Sequence, residues 1–319
     1  MLGRWWPRRR QDETIARAAT DAEDAGDALR PRWLRWVLDL PADSAGADAH
    51  ALAGPASPDP IAAAIDVARL PRLPALLPTL LAALRREDVR AQALAHCVAR
   101  DPVVAGEVLR VANSAYYRRA RAVDDLTAAV QRLGHDGLRR VALAVLMRPI
   151  AQGERLPSGS RTFDRLWMHT QRHMTACALL APGRCDASDV QLAAVLGTTG
   201  LSALLRHAPM PVLMRAAVEE AAALELHRAA ARLTTRAARH WRVPDGVVDA
   251  LEQAAEGDRR APAAAVLVAG ERLAMASVLG EDAPHADALP LALDAGTCRA
   301  VIARLAQEFP EAPDTPQAG

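Results

Sequence analysis

The sequence predicts an all-α protein, a compact helical bundle in two halves preceded by a poorly ordered N-terminal extension. Of its 319 residues, 51% are hydrophobic, which is ample for a buried core, yet only 3% are aromatic. Alanine dominates the apolar residues, and Ala, Leu and Arg favour helices, whereas strands favour β-branched and aromatic residues. Apolar residues also recur at helical spacing through the central part of the chain.

Residues 1–60 form the predicted N-terminal extension. From Pro41 to Pro60 the chain is rich in Ala, Gly, Pro and Asp, a linker composition that buries too little apolar surface to fold. A short amphipathic stretch, Trp33 to Leu38, is the candidate for a docking helix. We expect deletion of residues 1–58 to leave the core folded. Whether the Trp/Arg segment at residues 4–10 docks on a partner or on a membrane surface stays open.

The first half of the bundle is predicted over residues 61–150 of a domain that spans 61–282. Asp101-Pro102 starts a helix, because the Asp side chain can accept from free amides of the first turn and proline loses nothing there. Asn113-Ser114 ends this helix. Asp124 or Asp125 caps the next one, and Gly134 stops it by taking a left-handed conformation. Asp136 caps a further helix that runs to Pro149.

The second half is predicted over residues 160–282. Its first helix runs from Phe163 to Leu180, and Ser188 caps a helix from Val190 to Leu196. Residues 283–319 are predicted as a C-terminal helix followed by a disordered tail after Phe309. Four later helices are expected near Pro211 to Ala223, Leu226 to Trp241, Pro244 to Ala255 and Pro262 to Leu279.

Composition excludes several classes of function. All 39 basic residues are arginine, so a lysine-dependent phosphate loop or Schiff base is impossible. A net charge of +1 gives no drive toward nucleic acid or an anionic membrane, and no nucleic-acid partner is expected. We expect no membrane span and no signal peptide. The four cysteines lack a Cys-x-x-Cys pair and are interpreted as reduced thiols of a cytoplasmic protein.

Several short motifs occur in a characteristic order. They are Leu70-Pro71-Arg72-Leu73-Pro74, Arg100-Asp101-Pro102, Val111-Ala112-Asn113-Ser114-Ala115-Tyr116, Leu126 to Gly134, Leu166-Trp167-Met168-His169 and His240-Trp241-Arg242-Val243-Pro244. In that order and at that spacing the chain resembles the HDOD family of bacterial signalling proteins, whose fold is similar to that of HD-domain phosphohydrolases. The resemblance covers roughly residues 61–280.

The resemblance implies a lost metal centre. A related phosphohydrolase carries an adjacent His-Asp pair, whose imidazole and carboxylate hold metal ions that activate a water, where this chain has Gly197-Thr198. The later Asp is replaced by Gly270; Glu271 lies one position further on, about 100° around the helix, and is expected to point elsewhere. We therefore predict no enzyme activity, no cofactor and no metal.

His169 and His173 are four residues apart, the spacing at which two imidazoles can share a metal ion. No Glu stands between them to serve as a general base, so a zinc-protease interpretation fails. We interpret them as histidines of a helix surface or of the core.

The candidate interaction surface is the segment that ends the Asp101 helix. Both tyrosines of the chain lie there beside arginines, and Tyr and Arg are residue types that carry interface energy. The alternative is a turn that packs the two halves together. The candidate residues are Asn113, Ser114, Tyr116, Tyr117, Arg118 and Arg119.

The resemblance implies a non-catalytic regulatory module that acts through contacts with signalling proteins, which the sequence does not identify. The alternative is a metal-dependent phosphodiesterase of the HD superfamily that acts on cyclic dinucleotides or nucleotides. Direct nucleic-acid binding, based on arginine clusters alone, ranks last.

Overall fold

The computed structural model describes residues 29–41, 57–70, 80, 82–84, 89–114, 116–117, 122–152, 160–258, 260–281 and 289–310. Within these ranges the regular structure is helical, which confirms the all-α prediction. The α-helices are α1 Leu29–Val37, α2 Pro58–Ala64, α3 Ala91–Val98, α4 Pro102–Ala112, α5 Leu126–Gln152, α6 Ser160–Leu180, α7 Ala187–His207, α8 Met210–Ala216, α9 Glu220–His240, α10 Asp245–Glu256, α11 Pro262–Val278 and α12 Ala295–Glu308.

The first half contains α3 to α5. As predicted, the Asp101 carboxylate caps α4 by accepting from the backbone amides of Val103 (2.9 Å) and Val104 (3.1 Å). Asp125 caps α5 through the amide of Ala128 at 2.8 Å. Gly134 has the predicted positive φ of 67°, and its backbone is not helical, so it separates two helical segments of α5 at a kink, as predicted. The second segment includes Asp136, which forms an ion pair with Arg139.

The second half is built around α7, which packs between α6 and α9. The N-cap of α7 is Asp186 rather than Ser188, because the Asp186 carboxylate accepts from the amides of Ser188 and Asp189. The helix does not end at Leu196, and it continues through Gly197 to His207. It is long and apolar enough to cross a membrane, but 89% of its apolar window is buried inside the protein.

The predicted helix from Pro211 to Ala223 is wrong, because the chain turns after Ala216 and restarts at Glu220. The other predicted helices of the second half agree with α6, α10 and α11 within about three residues, whereas α9 begins at Glu220, well before the predicted start at Leu226. The C-terminal helix is α12, and the tail predicted to be disordered lies outside the described residues beyond Pro310.

Part of the predicted extension belongs to the core. The stretch from Trp33 forms a helix, as predicted, but α1 docks onto the chain's own second half, where Leu29, Trp33, Leu34 and Val37 are buried. Helix α2 also packs there, and Arg236 of α9 donates to the carbonyl of Ala62 at 3.0 Å. A boundary at residue 60 therefore does not separate the extension from the core. Deleting residues 1–58 would remove these contacts, so an unaffected core is no longer expected.

Candidate functional site

The two histidines of α6 lie in the interior of the second half. His169 is 1% exposed and His173 is 6% exposed, which agrees with core histidines rather than surface ones. The ring of His169 lies 4.6 Å from the indole of Trp33, between centroids, and 6.0 Å from the ring of His173. The Nε2 atom of His173 is 3.0 Å from the backbone carbonyl of Leu267. Because a carbonyl only accepts, His173 donates its Nε2 proton there.

Two further titratable side chains line the same cavity, whose volume is about 90 Å³. They are Glu271 of α11 and His227 of α9, with Nδ1 of His227 3.7 Å from Oε1 of Glu271. The expectation that Glu271 points elsewhere is therefore wrong. Helix α11 is buried around much of its circumference, so positions 270 and 271 both face neighbouring helices.

Sequence reasoning missed His227, although a signal was present. Ala223, Leu226, His227, Ala230 and Thr234 of α9 line the cavity, and they recur at the i, i+3, i+4, i+7 spacing of one helix face. A histidine on an otherwise small and apolar face indicates a side chain directed into the core.

Helix α1 brings Arg30 and Trp33 into the lining of this cavity. Burial, assisted by the neighbouring His173, lowers the pKa of His169 to about 3. Burial also lowers the pKa of His173 and of His227, against the opposing effect of Glu271. These three imidazoles are therefore neutral at neutral pH.

Burial raises the pKa of Glu271, but positive charge at His227, His173 and Arg30 outweighs this effect and holds the value at about 2. Of these three groups, the Arg30 guanidinium stays charged at neutral pH. The cavity thus combines an ionised carboxylate with a guanidinium that the chain itself supplies.

A catalytic metal pair does not fit these residues. Among the residues that the structure describes, no group of three or more His, Cys, Asp or Glu side chains is placed to hold a metal ion. The His173 Nε2 atom is engaged by Leu267, and Arg30 is a cation beside the same carboxylate. At Gly197-Thr198, where the resemblance implies a lost His-Asp pair, Thr198 donates to the carbonyl of Val195 at 3.1 Å, and the Gly197 carbonyl accepts from Thr234 at 3.2 Å.

The predicted interaction surface lies in the first half of the bundle, at the end of α4. The side chain of Asn113 forms two hydrogen bonds with Val123: its Nδ2 donates to the carbonyl (2.7 Å) and its Oδ1 accepts from the amide (2.9 Å). Asn113 therefore closes the loop between α4 and α5. Ser114 begins a turn in which its backbone carbonyl accepts a hydrogen bond from the amide of Tyr117 at 3.2 Å. Arg118 and Arg119 lie outside the described residues.

The two tyrosines are half-buried and pack edge-on, with centroids 4.7 Å apart. The Tyr117 hydroxyl accepts from Arg140 of α5 at 2.6 Å, and burial raises the pKa of Tyr117. Both tyrosines line a second cavity of about 300 Å³ between the halves. The structure thus brings Ser114, Tyr116 and Tyr117 together in a groove, beside the C-terminal residues Glu308 and Phe309.

The comparisons with known proteins agree with this architecture. The profile of the HDOD domain matches residues 70–256, more than half of the chain, so the chain belongs to the HDOD domain family. No curated protein matches it.

Two crystal structures have a similar fold. An HDOD domain protein with unknown function from Geobacter sulfurreducens has a TM-score of 0.58 at 17% identity, over 78% of this chain and 93% of that chain. A proposed phosphohydrolase from Shewanella amazonensis SB2B has a TM-score of 0.57 at 20% identity, over 76% and 93%. At these identities the likeness concerns the fold.

Proposed function

We propose that this protein is a non-catalytic HDOD-type regulatory module of the bacterial cytoplasm that acts through contacts with signalling proteins. The observation that carries the proposal is which side chains the first cavity offers as metal ligands. An HD-type hydrolase needs an adjacent His-Asp pair at positions 197 and 198, and here a glycine and a hydrogen-bonded threonine stand there.

The positive charge of the site also supports a regulatory role. A metal centre collects carboxylates and imidazoles around a cation, whereas here the Arg30 guanidinium already contributes positive charge beside Glu271. A metal ion of charge +2 would be repelled by this guanidinium, and it would have to displace the hydrogen bond between His173 and Leu267.

The alternative is a metal-dependent phosphodiesterase acting on cyclic dinucleotides or nucleotides. Four side chains favour it, because His169, His173, His227 and Glu271 line one cavity in a fold shared with a proposed phosphohydrolase. Imidazoles and a carboxylate are metal-binding groups in general.

Metal content and hydrolysis separate the two functions. We expect the purified protein, incubated with iron, manganese or zinc and desalted, to retain no stoichiometric metal and to leave a cyclic dinucleotide and bis-p-nitrophenyl phosphate uncleaved. Retention of about one or two equivalents, with hydrolysis lost in His169→Ala, would establish the phosphodiesterase instead. His207→Ala is the matched control, since His207 is an exposed histidine at the end of α7.

A further inference from the structure

We propose that the groove between the two halves is a docking site for a partner helix that ends in an acidic–aromatic pair, and that the protein's own C-terminal helix α12 occupies it until displaced. This inference rests on the proposed regulatory function, because it identifies the surface and the chemistry of the partner. It places the binding surface at the tyrosines of the predicted interaction segment.

The acidic residue of the resident pair is Glu308, the last residue of α12. Its Oε1 lies 3.5 Å from Nη2 of Arg140, and the same Arg140 nitrogen donates to the Tyr117 hydroxyl at 2.6 Å. The side chains of Arg140 and Glu308 are 15% and 10% exposed. Arg140 thus connects the interaction segment to the C-terminal helix through two buried polar contacts.

The aromatic residue of the pair is Phe309. Its backbone carbonyl accepts from Nη2 of Arg172 at 2.6 Å, and the Arg172 guanidinium lies 5.9 Å from the centre of its ring. One turn earlier, the Arg304 guanidinium lies 4.5 Å from the ring centre of Tyr116. The groove therefore contacts an acidic side chain through Arg140 and an aromatic ring through Arg172, while Tyr116 offers its face to a basic residue of the incoming helix.

The resident helix fills the groove incompletely. A cavity of about 300 Å³ remains, bordered by Tyr117, Arg140, Met174, Glu308 and Phe309. Protein interiors are normally close-packed, so unfilled space beside a docked segment represents lost contact energy. A partner with a larger aromatic side chain at the position of Phe309 would recover contacts that the resident helix does not make.

The charge of Glu308 also makes the resident helix displaceable. Burial raises the pKa of Glu308 despite the opposing charges of Arg140 and Arg304, so its ionised form is imperfectly compensated in the docked helix. Cys298, Val301 and Leu305 anchor α12 in the core, and Ile302 packs against it. The last turn of α12 is held in the groove by the polar contacts of Glu308 and Phe309, which a competitor with better pairing can replace.

Opening of the groove can be measured at a native thiol. Cys298 of α12 is fully buried, and Cys177 of α6 is fully buried in the core, so Cys298 reports release of α12 and Cys177 reports global unfolding. We expect Glu308→Lys, which places a cation beside Arg140 and Arg304, to accelerate alkylation of Cys298 about tenfold or more without affecting Cys177. Gln307→Lys is the control, because Gln307 is exposed and the introduced lysine is the same.

If Glu308→Lys also exposes Cys177, Phe309→Ala serves as the second variant, because it weakens the groove contacts without adding charge. The proposal that α12 is displaceable would be overturned if Cys298 were as protected as Cys177 in both variants. It would also be overturned if Cys298 were alkylated equally fast in Gln307→Lys and Glu308→Lys.

Recognition is tested in trans with a labelled peptide of residues 295–310 carrying Cys298→Ser. We expect it to bind the full-length Glu308→Lys chain about tenfold or more tighter than the wild type, whose groove is occupied. The same peptide with Phe309→Ala should bind weakly. Equal binding to both proteins, equal binding of both peptides, or no binding at all would overturn the proposal.

These results are independent of the test for metal and hydrolysis. If the peptide does not bind while the protein holds no metal, the docking inference fails and the regulatory function stands. If the protein hydrolyses phosphodiesters with bound metal, the regulatory function fails whatever the peptide does.

Discussion

Two cavities in this protein are each covered by a helix from outside the matched HDOD segment, and the two covering helices are held in different ways. Helix α1 covers the first cavity with buried apolar residues, among them Trp33. Helix α12 borders the second cavity with a buried ion pair and a half-buried aromatic ring, Glu308 and Phe309. Both helices bury apolar residues in the core, but the cavity-facing side of α1 is largely apolar, whereas the last turn of α12 meets its cavity through polar contacts that we propose a partner replaces.

The largest effect expected from this difference is at Trp33, which is 5% exposed. Trp33→Ala should lower the free energy of unfolding by about 3–5 kcal/mol, because it removes a buried aromatic ring from between α1 and α6. Chemical denaturation monitored by circular dichroism measures the loss. Trp36→Ala is the control on the same helix, since Trp36 is only half-buried. Equal losses in the two variants would show that α1 is not anchored through the first cavity.

Acid should destabilise the region around the first cavity. His169 is buried as a neutral imidazole with a pKa of about 3, whereas an unfolded histidine titrates near 6.5. The unfolded chain therefore binds more protons, and stability falls as the pH decreases from about 6.5 toward 3. Each unit of difference corresponds to about 1.4 kcal/mol, so this one histidine can account for a loss of a few kcal/mol. Denaturation midpoints across this range should decrease, and His169→Phe should flatten the slope.

Two glycines of α7 should respond in opposite directions. A Cβ atom at Gly200 would lie 1.9 Å from the carbonyl oxygen of Ala230, so Gly200→Ala must push α7 and α9 apart. We expect a loss of about 1–3 kcal/mol or more. At Gly197 no atom lies within 4 Å of the same position, so Gly197→Ala should stabilise the helix by up to about 1 kcal/mol. Thermal melts of both variants measure these changes in stability. A destabilised Gly197→Ala would contradict the prediction that a methyl group fits at this position.

The C-terminal helix should show the reverse pH response. The raised pKa of Glu308 means that protonation of this carboxyl stabilises the docked helix. This stabilisation is complete below about pH 4.5, and it is lost as the pH rises through the pKa that Glu308 has in the docked helix. The groups that face Glu308 or line its cavity are Arg140, Arg172, Arg304, Tyr117 and the Glu107–Arg110 pair.

Hydrogen exchange of α12, corrected for the intrinsic rate, measures this response. Protection should increase as the pH falls toward about 4.5 in the wild type and should change less in Glu308→Gln, which carries no titrating carboxyl. Protection that decreases with acid in step with the core would mean that α12 does not open independently.

The sequence predicted features that depend on local chemistry. The Asp101 cap, the positive φ at Gly134 and the helical class follow from side chains that act on their own backbone. The motifs along the chain also indicated the HDOD family, and the family is confirmed.

Features that depend on long-range packing could not be predicted from the sequence. Trp33 joins the core because it packs against His169, which is more than 130 residues away, and the linker composition around it concealed this contact. Glu271 enters the first cavity because α11 is surrounded by other helices. Position 271, about 100° around the helix from position 270, therefore also faces the interior. The pairing of Arg140 with Glu308 depends on where α12 returns to the bundle, which no local pattern encodes.

The smallest expected effect tests whether surface charges contribute to holding α1. Arg32 of α1 forms an ion pair with Glu281, and the two side chains are 58% and 24% exposed. Exposed pairs contribute little because water and salt screen them, so Arg32→Ala should lower the free energy of unfolding by no more than about 0.5 kcal/mol. The difference should vanish in high salt. If Arg32→Ala cost as much as Trp33→Ala, the attachment of α1 would be electrostatic, and the contrast with the ion-paired α12 would no longer hold.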